Sequence, residues 1–450
     1  MSLPIKSDGP TNRTPRKPPV YLSPVRRVQR VATTERICAM AFFGGPSRLP
    51  ANPDRFRGKG LTLVLAEFLE RYGARGTFAV VGDTSANYPD RAGKHGGPSW
   101  SGAVYDHVPD FGKDGQGGVA NCPELVSRLL AGGHELASLG YACVPFGPLP
   151  LSAGRRKHLR GPEQVMADLK RLHQAVDSGW NYPIRLGCPP RAVDGIQGGL
   201  TSYDAYAVLG YQYLSASFDG AARHPLPTYQ AEVEAMWRPM ERLLLEDPDA
   251  LRGQIIGLPD GYNTARRTPV ADGLARQLQL LTDLGYRVVT VSELLERSPF
   301  RDAVPDSAVS RAARRLLGLG WCVAYQDNTL RPDEILTRGE LAMMAFGAET
   351  VRRRIELIRC GRAPFRDMAP RHPYAAAAAL ADGTRAMPAS DGRFRPDDPV
   401  TGPEVARLCA ARLGRTVAGE LDRPITHGEF FLLASRALES GRSGEDGQRK

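Results

Sequence analysis

The chain has 450 residues, of which 42% are apolar, and a formal net charge of +10. That length exceeds one ordinary domain, and no run approaches the roughly 18 to 20 apolar residues of a membrane span. Seven widely spaced cysteines, none of them in a CxxC pair, exclude a zinc finger and a disulfide framework and read as small buried apolar residues.

In chain order, residues 1–34 are Pro-, Arg- and Thr-rich and are expected to form a disordered basic arm. Lys6, Arg13, Arg16, Lys17, Arg26, Arg27 and Arg30 stand there against Asp8 alone. Such an arm suits an anionic polymer. It has no apolar stretch after its basic residues and does not read as a secretory signal.

From residue 35 to 298 strand-like and helix-like segments alternate. "RICAMAFFGG" reads as a strand running into a Gly-Gly turn. "LTLVLAEFLERYG" places Leu61, Leu65, Phe68, Leu69 and Tyr72 on one helical face and stops at Gly73. "ARGTFAVVGD" reads as a buried strand, residues 84–120 as a long loop insertion, and "CPELVSRLLAGGHELASLGYA" as a helix, a Gly-Gly stop and a strand. Helix "GPEQVMADLKRLHQAV", "GQIIGLPDG", helix "PVADGLARQLQLLTDLG" and strand "YRVVTVSELL" follow. This alternation predicts an α/β domain with a mainly parallel sheet wrapped by helices, long enough to be a barrel. Catalytic groups in such folds sit on loops after the strands.

After about residue 298 the chain becomes helical with short turns, and it repeats. "DNTLRPDEILTRGEL" (327–341) recurs as "DGRFRPDDPVTGPEV" (391–405), each preceded by "PFRD", and a shorter echo follows at 421–438. Thr337/Glu340, Thr401/Glu404 and Thr426/Glu429 each have capping-box spacing. Repeated units of this kind cannot bury a face alone and must stack. The expected organisation is a basic arm (1–34), an α/β domain (35–298), a helical repeat region (299–440) and a disordered tail (441–450).

Residues 36–297 resemble the NodB-homology polysaccharide deacetylases of carbohydrate esterase family 4, through "AFFGGPS", "LAEFLERYGARGTFAVVGD", "GHELASLGYACVP", "GQIIGLPDG" and "LTDLGYRVVTVSELL". Residues 299 to about 438 resemble S-layer homology (SLH) modules through the "PFRD" starts and the "DGRFRPDDPVT" turns. The first resemblance implies a distorted (β/α) barrel that removes N-acetyl groups from sugars with a divalent metal. The second implies attachment to anionic wall polymers.

Matched position by position, the reactive groups are missing. Phe43 stands at the general base, Gly44 at the metal aspartate, and Leu139 and Cys143 at the two metal histidines. Pro259 replaces the general-acid histidine, beside a retained Asp260. The groove motif matches "GCPPRA", with Cys188 for the usual Arg and Arg191 for the usual Tyr. A hydrolytic metal centre needs three protein ligands and an open position for water, so family-type catalysis and a bound cofactor are not expected. A weak alternative metal set is Asp106, His107 and Asp110 in the loop insertion, where a polar surface loop is the plainer reading. His134 and Glu135 read as scaffold.

What the resemblance leaves is a groove for glycan. Tyr141, Trp180, Tyr182, Trp237 and Tyr262 are candidate stacking surfaces, with Arg185 and Arg191 as donors. Arg338, Glu340, Glu404 and Glu429 are the candidate polymer-binding residues of the repeats, although Arg338 gives way to Gly402 and His427 in the later copies. The leading expectation is a catalytically inactive deacetylase-like protein of the bacterial envelope that binds cell-wall polysaccharide; nucleic acid is not an expected partner. The alternatives are an active carbohydrate esterase with an unorthodox zinc site, and a cytoplasmic polyanion-binding protein.

Overall fold

The computed structural model describes residues 20–83, 99–100, 103–104, 117–148, 158–263, 267–415, 417 and 423–440. In chain order the first elements are β1 (Arg27–Val28), β2 (Ile37–Phe43), α1 (Pro53–Phe56), α2 (Leu61–Arg71) and β3 (Thr77–Val80). The short pair β4 (Ser99–Trp100) and β5 (Ala103–Val104) is followed by α3 (Pro123–Ala131), β6 (Glu135–Ser138), α4 (Pro162–Trp180) and β7 (Leu186–Gly187). The hairpin β8 (Gly195–Ile196) and β9 (Leu200–Thr201) leads to α5 (Ser202–Leu209), β10 (Gln212–Leu214), β11 (Phe218–Asp219), α6 (Tyr229–Glu246) and β12 (Ile255–Pro259). Then come α7 (Val270–Asp283), β13 (Arg287–Val289) and α8 (Val291–Arg297). The remainder is helical: α9 (Ala308–Gly318), α10 (Arg338–Phe346), α11 (Val351–Cys360), α12 (Ala375–Gly383), α13 (Gly402–Leu413) and α14 (His427–Ser440).

The main sheet is parallel throughout, in the order β1-β10-β7-β6-β3-β2-β12-β11. One side of β2 serves two neighbours: Ile37–Ala39 pair with β13 and Ala41–Phe43 with β3. Residues 37–42 of β2 are buried, the run of apolar residues that a parallel strand covered on both faces requires. α2 lays Leu61, Leu65, Phe68 and Leu69 on the sheet and ends where Gly73 turns left-handed at φ +63°.

The sheet curls. β10 lies beside β1 near one end of the order and β11 is the other end, yet only residues 215–217 separate them. At roughly 3.3 to 3.6 Å per residue, that link forces the two edges together. The seam is bridged by the chain after β1: Ile255 N–H donates to Gln29 O at 3.1 Å and Val31 N–H to Gly253 O at 2.9 Å. A curled parallel sheet with helices outside it is the barrel-type arrangement read from the alternation.

Residues 20–34 therefore depart from the expected irregular arm. Val25, Val28 and Val31 are buried in the barrel core, and Leu22 in the helical core. The buried Arg26 donates from Nη1 to Pro299 O at 3.0 Å and Asn328 Oδ1 at 3.1 Å. Every third residue here being valine (25, 28, 31) is the apolar signal that the basic residues mask. Residues 1–19 and the expected tail 441–450 lie outside the described residues.

In the helical region the repeat has a physical explanation. The aspartate of each "PFRD" clamps the turn downstream: Asp302 accepts from Leu330 and Arg331 N–H, and Asp367 from Phe394 and Arg395 N–H, all at 2.7–3.1 Å. The three capping boxes form: Thr337, Thr401 and Thr426 N–H donate to Glu340, Glu404 and Glu429 at 2.9–3.1 Å. The residues just before those threonines close a ring. Leu336 N–H donates to Ile425 O, Ile425 N–H to Val400 O, and Val400 N–H to Leu336 O, at 2.9, 3.2 and 2.9 Å. The shortened third copy thus completes a pseudo-threefold centre, with α14 packed on α9 from the first copy.

Candidate functional site

The loops after β2, β3 and β12 meet at one end of the barrel. Phe43, last in β2, sits between Ala79 of β3 and Pro259 of β12. The next residue, Gly44, has φ +113°, a region L side chains rarely adopt, and the Gly45–Pro46 bond is cis. A Cβ on Gly45 would lie 1.8 Å from Asp260 Oδ2. The turn is pinned by Gly44 N–H to Ala79 O, Asp260 N–H to Phe43 O, and Val81 N–H to Gly45 O, at 2.8–3.1 Å.

Asp260 is fully buried beneath this turn. The Thr62 hydroxyl donates to its carboxylate at 2.7 Å and in turn accepts from Ser47 N–H at 2.7 Å. Burial pushes the Asp260 carboxyl up to about 7, with the Thr62 hydroxyl pulling the other way. A group in that range suits proton transfer, but Asp260 is closed off from any substrate and braces the turn.

Leu139 and Cys143 are both buried, at 8% and 5% exposure. With Phe43 and Gly44, they put two hydrocarbon side chains, a hydrogen and one thiol at the positions the sequence resemblance assigns to metal and base. That donor set does not fit a divalent metal. Among the described residues no group of three His, Cys, Asp or Glu is placed to hold an ion. Asp106, His107 and Asp110 lie outside the described residues.

The glycan candidates divide. Tyr141 lies at this end of the barrel; its ring packs on Gly82, where a Cβ would fall 2.2 Å away, and carries the Arg171 guanidinium 3.9 Å from its centre. Tyr141 and Ala142 N–H both donate to the half-buried Asp168, at 2.8 and 2.9 Å. Tyr262, after β12, is half-buried against the core, and Arg191, after β7, is exposed in a turn at φ +61°. The structure does not bring Arg185 or Trp237 to them. Arg185 is exposed just before β7, and Trp237 lies on the outer helix α6, with Arg238 and Arg276 over its ring at 5.4 and 5.3 Å. Trp180 and Tyr182 line a separate cavity of about 850 Å³ with His134 and Glu135, where β6 begins. There His134 Nδ1 accepts from Gly76 N–H, and burial lowers its pKa to about 4.

Thr62 and Asp168 were not singled out from sequence. Asp168 carried a signal: Val165, Leu169, Leu172 and Val176 form the buried stripe of α4, and an acid within that stripe needs partners. Thr62, one residue into an apolar helix, carried none.

In the repeats the candidate residues are used internally. Arg338 pairs with Glu404 of the next copy, donates to Phe394 O and Pro388 O at 3.0 and 3.1 Å, and lies over the Phe394 ring. The equivalent His427 is fully buried and faces Glu340, Nε2 to Oε2 3.5 Å. Gly402 has no side chain to repeat the pairing, and Arg423 takes over at Glu429 at 2.5 Å. Arg338 and Glu404 also line a cavity of about 240 Å³ with Arg393 and Arg395.

The fold and site together define a class: a curled parallel α/β barrel whose strand-end turn carries Phe43 and Gly44 over a buried Asp260, stitched to a pseudo-threefold helical region. No family model matches the chain, and no curated protein matches it. Among solved structures it is similar to the Xyl-CE4 domain of a multidomain xylanase from the hindgut metagenome of Trinervitermes trinervoides, at 17% identity and TM-score 0.38, covering 60% of this chain and 97% of that one. It is similar to the peptidoglycan deacetylase PdaC of Bacillus subtilis, at 17% identity and TM-score 0.36, covering 64% and 96%. A CE4 family pseudoenzyme from Bacillus anthracis matches at 12% identity and TM-score 0.38, covering 61% and 70%. At these scores the fold is read from the strand order itself.

Proposed function

We propose that this chain is a non-catalytic, deacetylase-like protein of the bacterial cell envelope that binds wall glycan, with its SLH-like repeats as the anchoring part. The observation that carries the reading is the turn after β2. At the positions of the family's base and metal aspartate it has Phe43 and a Gly44 held at φ +113°. Losing a general base alone costs on the order of 10²–10⁴ in rate, and losing the metal removes both nucleophile and Lewis acid.

Support for the anchoring half is the closed repeat ring and the basic pair Arg393 and Arg395 beside Arg338. The test is to incubate the full chain with Zn²⁺ and acetylated chito-oligosaccharide or peptidoglycan fragments, then measure acetate and bound metal. The expected result is background acetate and no stoichiometric Zn²⁺; acetate release with one bound Zn²⁺ would overturn the non-catalytic reading. Sedimentation with purified cell wall tests anchoring: the parent should pellet, and Arg393→Glu/Arg395→Glu should remain largely in the supernatant.

A further inference from the structure

Between the barrel and the helical region, residues 20–29 border a cavity of about 570 Å³, a volume in the range of small-molecule sites. Its wall includes Tyr21, Asp194, Tyr203, Asp204, Arg354 and Arg371, and it shares no residue with the strand-end site.

The carboxylates around this cavity are already engaged. Asp204 accepts from Thr201 N–H at 2.9 Å and from Arg354 Nε at 2.6 Å, and Asp194 from the Ser202 hydroxyl at 2.7 Å. Asp327 accepts from the Thr329 hydroxyl at 2.6 Å and pairs with Arg331. The guanidinium groups are not fully used. Arg354 Nη1 is buried with no hydrogen-bond partner among the described residues. Arg371 packs on the backbone of Gly199, where a Cβ would lie 3.0 Å from its Cζ, and has no hydrogen-bond or ion-pair partner among the described residues. An unpaired buried N–H is a cost that an acceptor removes once the Arg354 side chain turns its Nη1 into the cavity. Planar guanidinium groups favour carboxylate or phosphate in that place.

We infer that this cavity binds a sugar-sized polar molecule carrying one carboxylate or phosphate. The anion is held by Arg354 and Arg371, and Tyr21 and Tyr203 line the space beside it. This site is independent of the strand-end groove, so it stands even where that groove binds nothing.

The test is isothermal titration of the full chain with glucuronate, glucose 6-phosphate and glucose. One or both acids should bind saturably, and glucose at least about tenfold more weakly. Preference for glucuronate assigns a carboxylate ligand, and preference for glucose 6-phosphate a phosphate. Arg371→Ala should weaken binding of the acid by about tenfold or more. Because Arg371 is exposed, the melting temperature should stay near the parent's. Arg354→Lys is a second variant, keeping a cation beside Asp204 while removing Nη1. Weakened binding in either variant supports the site. Glucose binding as tightly as the acids, no binding of either acid at millimolar concentration, or parent-like binding in both variants would overturn it.

Discussion

Gly44 and Asp260 set the chemistry of the strand-end turn. Placing a carboxylate there by Gly44→Asp would put a Cβ at φ +113°, a strain of roughly 1–3 kcal/mol. That variant should melt at lower temperature than the parent and still fail to retain Zn²⁺ by metal analysis. Asp260 gives a pH signature. Its folded pKa is raised from 3.8 to about 7 by burial, so the folded state holds more protons than the unfolded one between those values. Stability should fall as pH rises from about 4 to 7, by up to roughly 4 kcal/mol. Asp260→Asn should flatten that slope in urea denaturation followed across the same range. That Phe43, Gly44 and Leu139 carry no carboxylate or imidazole was legible from residue identity alone. The closure of Asp260 under Gly45 was not, because it depends on two loops far apart in sequence meeting at one strand end.

At the scale of elements, capping explains much of the helical region. The three Thr/Glu pairs were readable from spacing, since a capping box is a local device. Their second use was hidden, because Glu404 and Glu340 also face basic side chains of neighbouring copies, Arg338 and His427, and that depends on the closed ring. Glu340 shows the result. Burial alone would raise its pKa, but bonds from His427, Tyr325 and the Thr337 backbone outweigh it and bring the value down to about 2. The sign is opposite to that of Asp260. The contribution of Glu340 is complete above the unfolded value of 4.5 and is lost as pH falls toward 2, by up to roughly 3 kcal/mol. Glu340→Gln should therefore destabilise the chain at pH 7 and make little difference near pH 2, measured by thermal melting. The "PFRD" clamps predict an independent effect. Asp302→Ala leaves Leu330 and Arg331 N–H without their partner and should cost roughly 1–3 kcal/mol.

For the whole molecule, the segment from residue 20 to 34 sets the order of assembly. It is made early in synthesis, yet its partners are Tyr213, Gly253, Phe300 and Gln326, 186 to 299 residues downstream. Domains that form during synthesis do so from the N-terminus, but this segment completes its contacts only once Phe300 and Gln326 have emerged. Its contacts to Phe300 and Gln326 are therefore the last it can make, after the seam partners Tyr213 and Gly253 have emerged. Removing residues 1–34 takes Val25, Val28 and Val31 out of the barrel core and should yield an aggregating chain with an open seam, seen by size-exclusion chromatography. Ribosome-bound chains stopped before residue 200 should expose residues 20–34 to protease, and release of the full chain should protect them.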